Sequence, residues 1–276
     1  MKLLSKDINT SDAETKDTCN NDKYHTPEQA LKILLGYDSF RAGQKSVIDS
    51  ILAGRDAFAV MPTGAGKSVC YQIPAVLLPG ITLVVSPLIS LMQDQVKALN
   101  EAGVPAAFIN SSLSEKDYNE TIRRARQGIY KIIYIAPERL VTEGFLALAK
   151  SVPVSMVTVD EAHCISQWGH DFRPEYAQLG LLRQMFPDVP IVALTATADR
   201  LTREDIQKQL ALSDPVVFIS SFDRPNLSLD VKRGYQKEDK GPCHIGTYRP
   251  ASRRLRNHIL PEQEDHRKRG RDASWA

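Results

Sequence analysis

Cysteine is scarce in this chain: four are present among 276 residues, and no two form a Cys-x-x-Cys pair. This spacing argues against a zinc site built of cysteines and against a disulfide scaffold, and it favours a reducing compartment. The first 20 residues are polar and of mixed charge, unlike a secretory signal peptide. With 42% hydrophobic and 25% charged residues, the chain has the composition of a globular protein that buries a core.

Charged residues are absent from residues 68–93, a stretch long enough to suggest a membrane span. Pro74, Pro79, Gly80 and Pro87 interrupt this stretch, so a continuous spanning helix does not fit. We expect a buried helix followed by a buried strand, and no membrane partner.

Short apolar runs alternate with helical patterns from Thr26 onward. The runs are nearly continuous, which is typical of strands buried on both faces of a parallel sheet. The sequence therefore predicts an α/β fold, a parallel sheet with helices on both faces. The predicted strands are residues 57–60, 82–86, 106–109, 131–135, 156–160, 191–195 and 216–219. The predicted helices are residues 26–35, 44–53, 67–77, 88–102, 114–127, 179–185 and 198–210.

A glycine-rich segment, Met61-Pro-Thr-Gly-Ala-Gly-Lys-Ser68, lies between a predicted strand and a predicted helix. This context is typical of a phosphate-binding loop, in which backbone N–H groups at a helix N-terminus bind phosphate oxygens. Lys67 would reach the β- and γ-phosphates, and Ser68 would bind Mg²⁺. The general pattern has glycine where this chain has Met61, so a simple glycine-rich turn is the alternative. The candidate nucleotide-binding residues of the loop are Met61, Pro62, Thr63, Gly64, Ala65, Gly66, Lys67 and Ser68.

Two acidic residues, Asp160 and Glu161, end another predicted buried strand. Carboxyl ends of parallel strands meet at one edge of a sheet, so this pair points to the same crevice as the phosphate loop. Asp160 would hold the Mg²⁺, and Glu161 would orient and deprotonate an attacking water. A solvated strand end is the alternative for the acidic pair alone. Together the two segments predict phosphoryl transfer from a nucleoside triphosphate with Mg²⁺.

The segment Asp160-Glu-Ala-His163 resembles the Asp-Glu-x-His box of superfamily-two helicases. Further segments resemble the RecQ family of DNA helicases, so that the resemblance runs from about Thr26 to Val231. These segments are residues 86–96, 136–140, 164–176, 194–198 and 220–226. The resemblance implies a RecA-like P-loop NTPase lobe, ATP and Mg²⁺ as cofactors, and 3′-to-5′ movement on single-stranded and partly duplex DNA. It also implies a role in DNA repair and recombination, in the cytoplasm.

The resemblance implies individual roles around the nucleotide. Tyr37, Arg41 and Gln44 correspond to the adenine-recognition motif, in which the family usually has proline where this chain has Ala42. His163 would relay between the γ-phosphate and the segment that follows the box. Without the family, these side chains would be read as surface or structural residues. The candidate catalytic residues are Lys67, Asp160, Glu161 and His163.

A second group of residues would contact DNA or couple it to hydrolysis. Trp168 and Phe172 offer stacking faces to unpaired bases, and Arg173 offers a phosphate contact. In isolation, the Trp and Phe would be read as core residues. By resemblance, Ser86 would line the single-strand channel, and Thr195 and Thr197 would link hydrolysis to domain movement. The full set is Ser86, Gln167, Trp168, His170, Phe172, Arg173, Thr195 and Thr197.

Apolar residues are scarce near the C-terminus, where residues 232–276 contain 12 basic and six acidic residues. This basic tail includes Arg253, Arg254, Arg256 and Arg267–Arg271. We favour out-of-frame sequence after a shift near residues 235–245; a nucleic-acid-binding extension and a disordered end are the alternatives. The predicted domains are a flexible lead-in (1–25), the ATP-binding lobe (26–219), the start of a linker (220–231) and the tail (232–276).

Nothing after residue 241 resembles a second helicase lobe, which the family needs and which would supply an arginine finger. Three functions remain open. The first is the ATP-binding lobe of a DNA helicase. The second is a nucleotide-binding module without unwinding activity. The third is a P-loop kinase or another ATPase unrelated to nucleic acid.

Overall fold

The computed structural model describes residues 24–168 and 171–221. The predictions for the lead-in up to residue 23, for His170 and for everything after residue 221 lie outside the described residues. That last part includes most of the predicted linker and the whole basic tail.

A seven-stranded parallel sheet forms the centre of the described chain, as predicted. The strands are β1 (Ala57–Val60), β2 (Ile81–Val85), β3 (Ala106–Ile109), β4 (Ile132–Ile135), β5 (Val154–Val159), β6 (Ile191–Thr195) and β7 (Val216–Ile219). Their order is β3-β4-β2-β5-β6-β1-β7. The sheet therefore places the ends of β1 and β5 on the same edge, separated only by β6.

Helices cover both faces of the sheet. They are α1 (Pro27–Leu35), α2 (Gln44–Leu52), α3 (Val69–Leu77), α4 (Ile89–Glu101), α5 (Glu115–Arg126), α6 (Glu143–Ala149), α7 (Leu181–Met185) and α8 (Arg200–Gln209). Buried residues of α1 to α4 pack on one face, and those of α5, α6, α7 and α8 pack on the other. Alternate residues of β1 enter the two cores, with Ala59 on the first side and Phe58 on the second. Both cores are apolar because the inner strands, such as β1, β2, β4 and β6, are buried on both faces.

The edge strand β7 departs from the predicted pattern, since its residues alternate between half-buried and exposed. Val217 and Ile219 are each 46% exposed. An edge strand has a neighbour on one side only, so an apolar sequence does not guarantee burial.

The helical predictions differ from the structure in three places. Helix α6 was not predicted, although Phe145 and Leu148 bury one side of it. The helix predicted over residues 179–185 is a 3₁₀ segment, Pro174–Gly180, followed by the short α7. Helix α3 begins at Val69 rather than at residue 67, because Lys67 and Ser68 form the turn that precedes it. Among the described residues, no helix combines the length and apolar character needed to cross a membrane.

Candidate nucleotide-binding site

The phosphate loop lies between β1 and α3, at the carboxyl edge of the sheet. Gly64 and Gly66 have φ angles of 83° and 84°, which only glycine adopts without strain. A Cβ atom on Gly66 would lie 2.5 Å from Nε2 of Gln44. Glycine is therefore favoured at residue 66 by its backbone angle, and a side chain there would displace the Gln44 amide.

Met61, the departure from the general loop pattern, lies in the core rather than in the loop cradle. Its side chain is 1% exposed and its backbone N–H donates to the Thr195 carbonyl. This residue continues the pairing of β1 with β6, so an apolar side chain suits it. The absence of glycine at residue 61 therefore does not alter the part of the loop that would bind phosphate.

The loop opens into a pocket of 560 Å³ that brings together most of the predicted nucleotide-binding residues. The predicted residues on its wall are Tyr37, Arg41, Gln44, Thr63, Gly64, Gly66, Lys67, Ser68, Ser86, Asp160 and Glu161. Pro62, Ala65 and Met61 are in the loop but are not on this wall. The pocket is large enough for a nucleotide, since typical ligand sites measure ~300–1,000 Å³.

Gln44 holds the phosphate loop in this structure. Its buried amide donates to the carbonyls of Ala65 and Gly66, each at 3.1 Å, and its Oε1 accepts from the Arg41 backbone N–H at 2.8 Å. The Arg41 guanidinium also donates to the Gly64 carbonyl. The predicted adenine motif and the phosphate loop thus form one hydrogen-bonded unit.

Glu161 lies between the two halves of the site. Its carboxylate is 3.9 Å from Lys67 Nζ and 3.3 Å from His163 Nδ1. The hydrogen bond from His163, helped by the Lys67 charge, lowers the pKa of Glu161 despite partial burial. The φ angle of 46° at Glu161 is strained for a residue other than glycine, and such strain clusters at functional sites. An ionised carboxylate held at this point is suited to accept a proton from water.

Asp160 is buried beside it, and its Oδ1 accepts from the Glu161 backbone N–H at 2.9 Å. Burial, followed by the nearby Glu161 charge, raises the pKa of Asp160 to about 6. A buried carboxylate that is costly to ionise gains from a cation. Carboxylate and hydroxyl oxygens are ligands that Mg²⁺ accepts, so Asp160 and Ser68 fit the predicted metal.

His163 connects Glu161 to the end of β6. The Thr195 hydroxyl donates to the Thr197 carbonyl at 3.0 Å, so it accepts from His163 Nδ1, 2.9 Å away. Hydrogen bonds with the Cys164 sulfur and with Glu161 raise the pKa of His163 to about 9. The predicted coupling residues Thr195 and Thr197 are therefore joined to the acidic pair through one imidazole.

The segment after the box packs back onto it. Arg173 donates its backbone N–H to the Cys164 carbonyl at 3.0 Å, and the Tyr176 hydroxyl donates to the Asp160 carbonyl at 3.1 Å. Trp168 is 73% exposed, and Phe172 is 36% exposed. These two rings and the exposed Gln167 lie on the surface, so the reading of them as core residues does not hold.

Ser86 is buried at the end of β2, and its place along a DNA channel stays a prediction. It is 1% exposed at the end of β2, and its backbone N–H donates to the Ile135 carbonyl. Its hydroxyl has no hydrogen-bond partner among the described residues. The Ser86 side chain lies in the wall of the nucleotide pocket.

Sequence reasoning missed two tyrosines in the floor of the pocket. The hydroxyls of Tyr71 and Tyr134 are 3.1 Å apart, and both side chains are buried. The sequence clue to this pair is a tyrosine, Tyr134, within the apolar run of β4, Ile132–Ile135. Its hydroxyl needs a buried partner, and only the structure shows that α3 provides it.

Taken together, the loop, the acidic pair and the sheet define a P-loop nucleotide-binding domain. The DEAD/DEAH box helicase family matches residues 41–206. The chain belongs to this family.

Curated relatives make the RecQ resemblance specific. The chain is 52% identical over 202 residues to an ATP-dependent DNA helicase RecQ of Pasteurella multocida, covering 73% of this chain and 32% of that protein. It is 45% identical over 216 residues to RecQ of Bacillus subtilis, covering 78% of this chain and 36% of that protein. The chain therefore spans about a third of the length of these relatives.

Solved structures agree on the fold. A hypothetical ATP-dependent RNA helicase from Sulfolobus tokodaii matches with a TM-score of 0.54 at 22% identity, over 70% of this chain and 56% of that chain. The DUF1998 helicase MrfA bound to DNA and AMPPNP matches with a TM-score of 0.54 at 17% identity, over 72% of this chain and 29% of that chain. The predicted RecA-like lobe is confirmed.

Asp160→Asn is expected to stabilise the free protein at neutral pH. The folded-state pKa of about 6 exceeds the ordinary 3.8, so the folded protein keeps a proton that the unfolded chain loses. Stability therefore falls as pH rises from about 4 to 6 and stays lower above it. Asparagine removes this cost, roughly 3 kcal/mol at most.

Thermal unfolding of both proteins at pH 4.5 and pH 7.5, without Mg²⁺ or nucleotide, measures this effect. Asp94→Asn, at an exposed residue of α4, is the matched control. The variant should melt at a higher temperature than the parent at pH 7.5, with a smaller difference at pH 4.5. No difference at pH 7.5, or equal differences at both pH values, would contradict the raised pKa of Asp160.

Proposed function

We propose that this chain is the ATP-binding lobe of an ATP-dependent DNA helicase of the RecQ type. The main support is the distance of 3.9 Å between Lys67 Nζ and Glu161 Oε1. This contact joins the phosphate loop and the acidic box in one pocket. The 3′-to-5′ polarity, the role in DNA repair and recombination and the cytoplasmic location rest on the similarity to RecQ helicases.

In this proposal the residues of the pocket bind the nucleotide, hold the metal and activate a water molecule. Lys67 and the loop N–H groups bind the β- and γ-phosphates, and Tyr37, Arg41 and Gln44 bind the adenine. Ser68 and Asp160 hold Mg²⁺, which supplies charge neutralisation at the phosphates. Glu161 orients a water molecule and accepts its proton, while His163 stabilises the ionised Glu161.

DNA would contact the exposed surface that follows the box. Trp168 and Phe172 present ring faces for unpaired bases, and Arg173 presents a cation for a phosphate. The hydrogen bond from Tyr176 to Asp160, and that from Arg173 to Cys164 directly after the box, connect this surface to the nucleotide pocket. Single-stranded DNA and the single-stranded part of a partial duplex are the proposed partners.

The second candidate is a nucleotide-binding module that does not unwind DNA. The nucleotide pocket supports this candidate as well as it supports the first. Unwinding of a partial duplex by the purified chain separates the two candidates. Strand separation that needs ATP supports the helicase, and nucleotide binding without strand separation supports the module.

Trp168→Ala is expected to weaken binding of single-stranded DNA by about 5- to 150-fold, because stacking of one base is worth ~1–3 kcal/mol. Fluorescence anisotropy of a labelled single strand measures the affinity. Leu201→Ala is the control, since Leu201 is 56% exposed on α8. If both variants lose the same DNA affinity, or if Trp168→Ala loses none, this surface is not part of the DNA-binding site.

A further inference from the structure

Three side chains with metal-binding atoms meet beside the nucleotide site. They are His163, Cys164 and Asp171, and the first two are buried while the third is exposed. Cys164 Sγ lies 3.8 Å from His163 Nε2 and 3.8 Å from Asp171 Oδ2, and the latter two atoms are 4.0 Å apart. None of these three residues is among the predicted Mg²⁺ ligands, Ser68 and Asp160.

The size of this triangle matches a zinc site. The point equidistant from its corners lies about 2.2 Å from each of them, and zinc binds nitrogen, oxygen and sulfur at ~2.0–2.3 Å. The donor set of one imidazole, one thiolate and one carboxylate is also one that zinc accepts. Mg²⁺ prefers oxygen ligands, so this cluster differs from the Ser68 and Asp160 pair in chemistry as well as in place.

The surrounding hydrogen bonds already orient the imidazole for a metal. His163 donates from Nδ1 to the Thr195 hydroxyl at 2.9 Å, with the Glu161 carboxylate 3.3 Å away. Nε2 consequently points toward Cys164 and Asp171. A carboxylate or hydroxyl behind the far nitrogen is the usual support of a metal-binding histidine.

We propose that His163 Nε2, Cys164 Sγ and Asp171 Oδ2 form a binding site for a zinc-like divalent transition-metal ion. Three protein ligands leave a further coordination position for water, as in open zinc sites. The ion displaces the Cys164 thiol proton, and any proton on Nε2, to solvent. It joins the buried end of the box to the segment that begins at Asp171. This site does not depend on the proposed helicase function.

Cobalt(II) is a suitable probe because a bound thiolate gives a charge-transfer absorption band that oxygen and nitrogen ligands do not give. The test uses the full chain with Cys19→Ser and Cys243→Ser, in the absence of nucleotide, so that Cys70 and Cys164 are its two cysteines. We expect one Co²⁺ per chain, a thiolate band, displacement by Zn²⁺ and weaker binding as pH falls.

Variants decide which residues bind the ion. Cys164→Ser should abolish the thiolate band, and Asp171→Asn should weaken Co²⁺ binding at least 10-fold. Cys70→Ser and Asp188→Asn are matched controls, a second buried cysteine and an exposed carboxylate, and both should bind as the parent does. Circular dichroism checks that each variant is folded.

The absence of a thiolate band in the parent chain, or its persistence in Cys164→Ser, would overturn the proposal. Should Cys164→Ser fail to fold, Asp171→Asn decides alone, because the Asp171 side chain is 50% exposed and its replacement leaves the core unchanged. Unaltered Co²⁺ affinity in that variant would equally overturn the site.

Discussion

Glu161→Gln is expected to bind Mg²⁺–ATP as the parent chain does and to hydrolyse it about 10²–10⁴-fold more slowly, the usual contribution of a general base. The glutamine keeps the shape of a side chain that is 24% exposed, so the pocket is preserved. It has no charge with which to accept a proton. His163 and Lys67 hold the pKa of the native carboxyl below its usual range, which keeps it ionised at neutral pH.

Single-turnover hydrolysis, with protein in excess over ATP, measures this effect separately from product release. Glu143→Gln is the matched control, because Glu143 is exposed at the start of α6. A rate in Glu161→Gln equal to that of the control would exclude Glu161 as the base. A loss of ATP binding would show that Glu161 acts in affinity rather than in proton transfer.

Lys67→Ala is expected to weaken Mg²⁺–ATP binding by about 10- to 150-fold, since hydrogen bonds to charged groups are worth ~1.5–3 kcal/mol. The Lys67 side chain is 14% exposed and lies in the nucleotide pocket. Truncation removes a cation from the expected place of the phosphates, and it removes the Lys67 contribution to the low pKa of Glu161.

Titration of a fluorescent ATP analogue measures the affinity of the variant. Lys97→Ala, at an exposed residue of α4, changes the net charge equally and should bind as the parent does. Were the two alanine variants to bind ATP equally well, Lys67 would not contact the phosphates and the phosphate-loop interpretation would fail.

The sheet and the loop were predictable because their signals are local. Continuous apolar runs identify buried parallel strands, and a glycine-rich turn between a strand and a helix identifies the loop. The strand order is not local: β1 lies between β6 and β7, which follow it in the chain by more than a hundred residues. The pairing that brings Asp160 near Lys67 depends on this order.

Other features depend on contacts between distant residues and left no pattern in the sequence. Gln44 supports the phosphate loop from 21 and 22 residues away. The burial of Ser86 at the end of β2 comes from strand pairing, which the family motif that contains it does not show. Tyr176 supports Asp160 through a backbone carbonyl, which no side-chain motif encodes.

The central claim is that the nucleotide pocket and the surface around Trp168 form one coupled unit, through the hydrogen bonds that Tyr176 donates to Asp160 and Arg173 donates to Cys164. The most direct test compares the affinity of the chain for single-stranded DNA with and without a saturating, non-hydrolysable ATP analogue and Mg²⁺. This comparison reports coupling even in the absence of turnover.

The account predicts that the nucleotide changes the DNA affinity by several-fold, and that DNA changes the nucleotide affinity by the same factor, as linkage requires. Tyr176→Phe, which removes a hydroxyl from the connecting path, should reduce that factor. Identical DNA affinity with the nucleotide pocket empty and saturated would contradict the account.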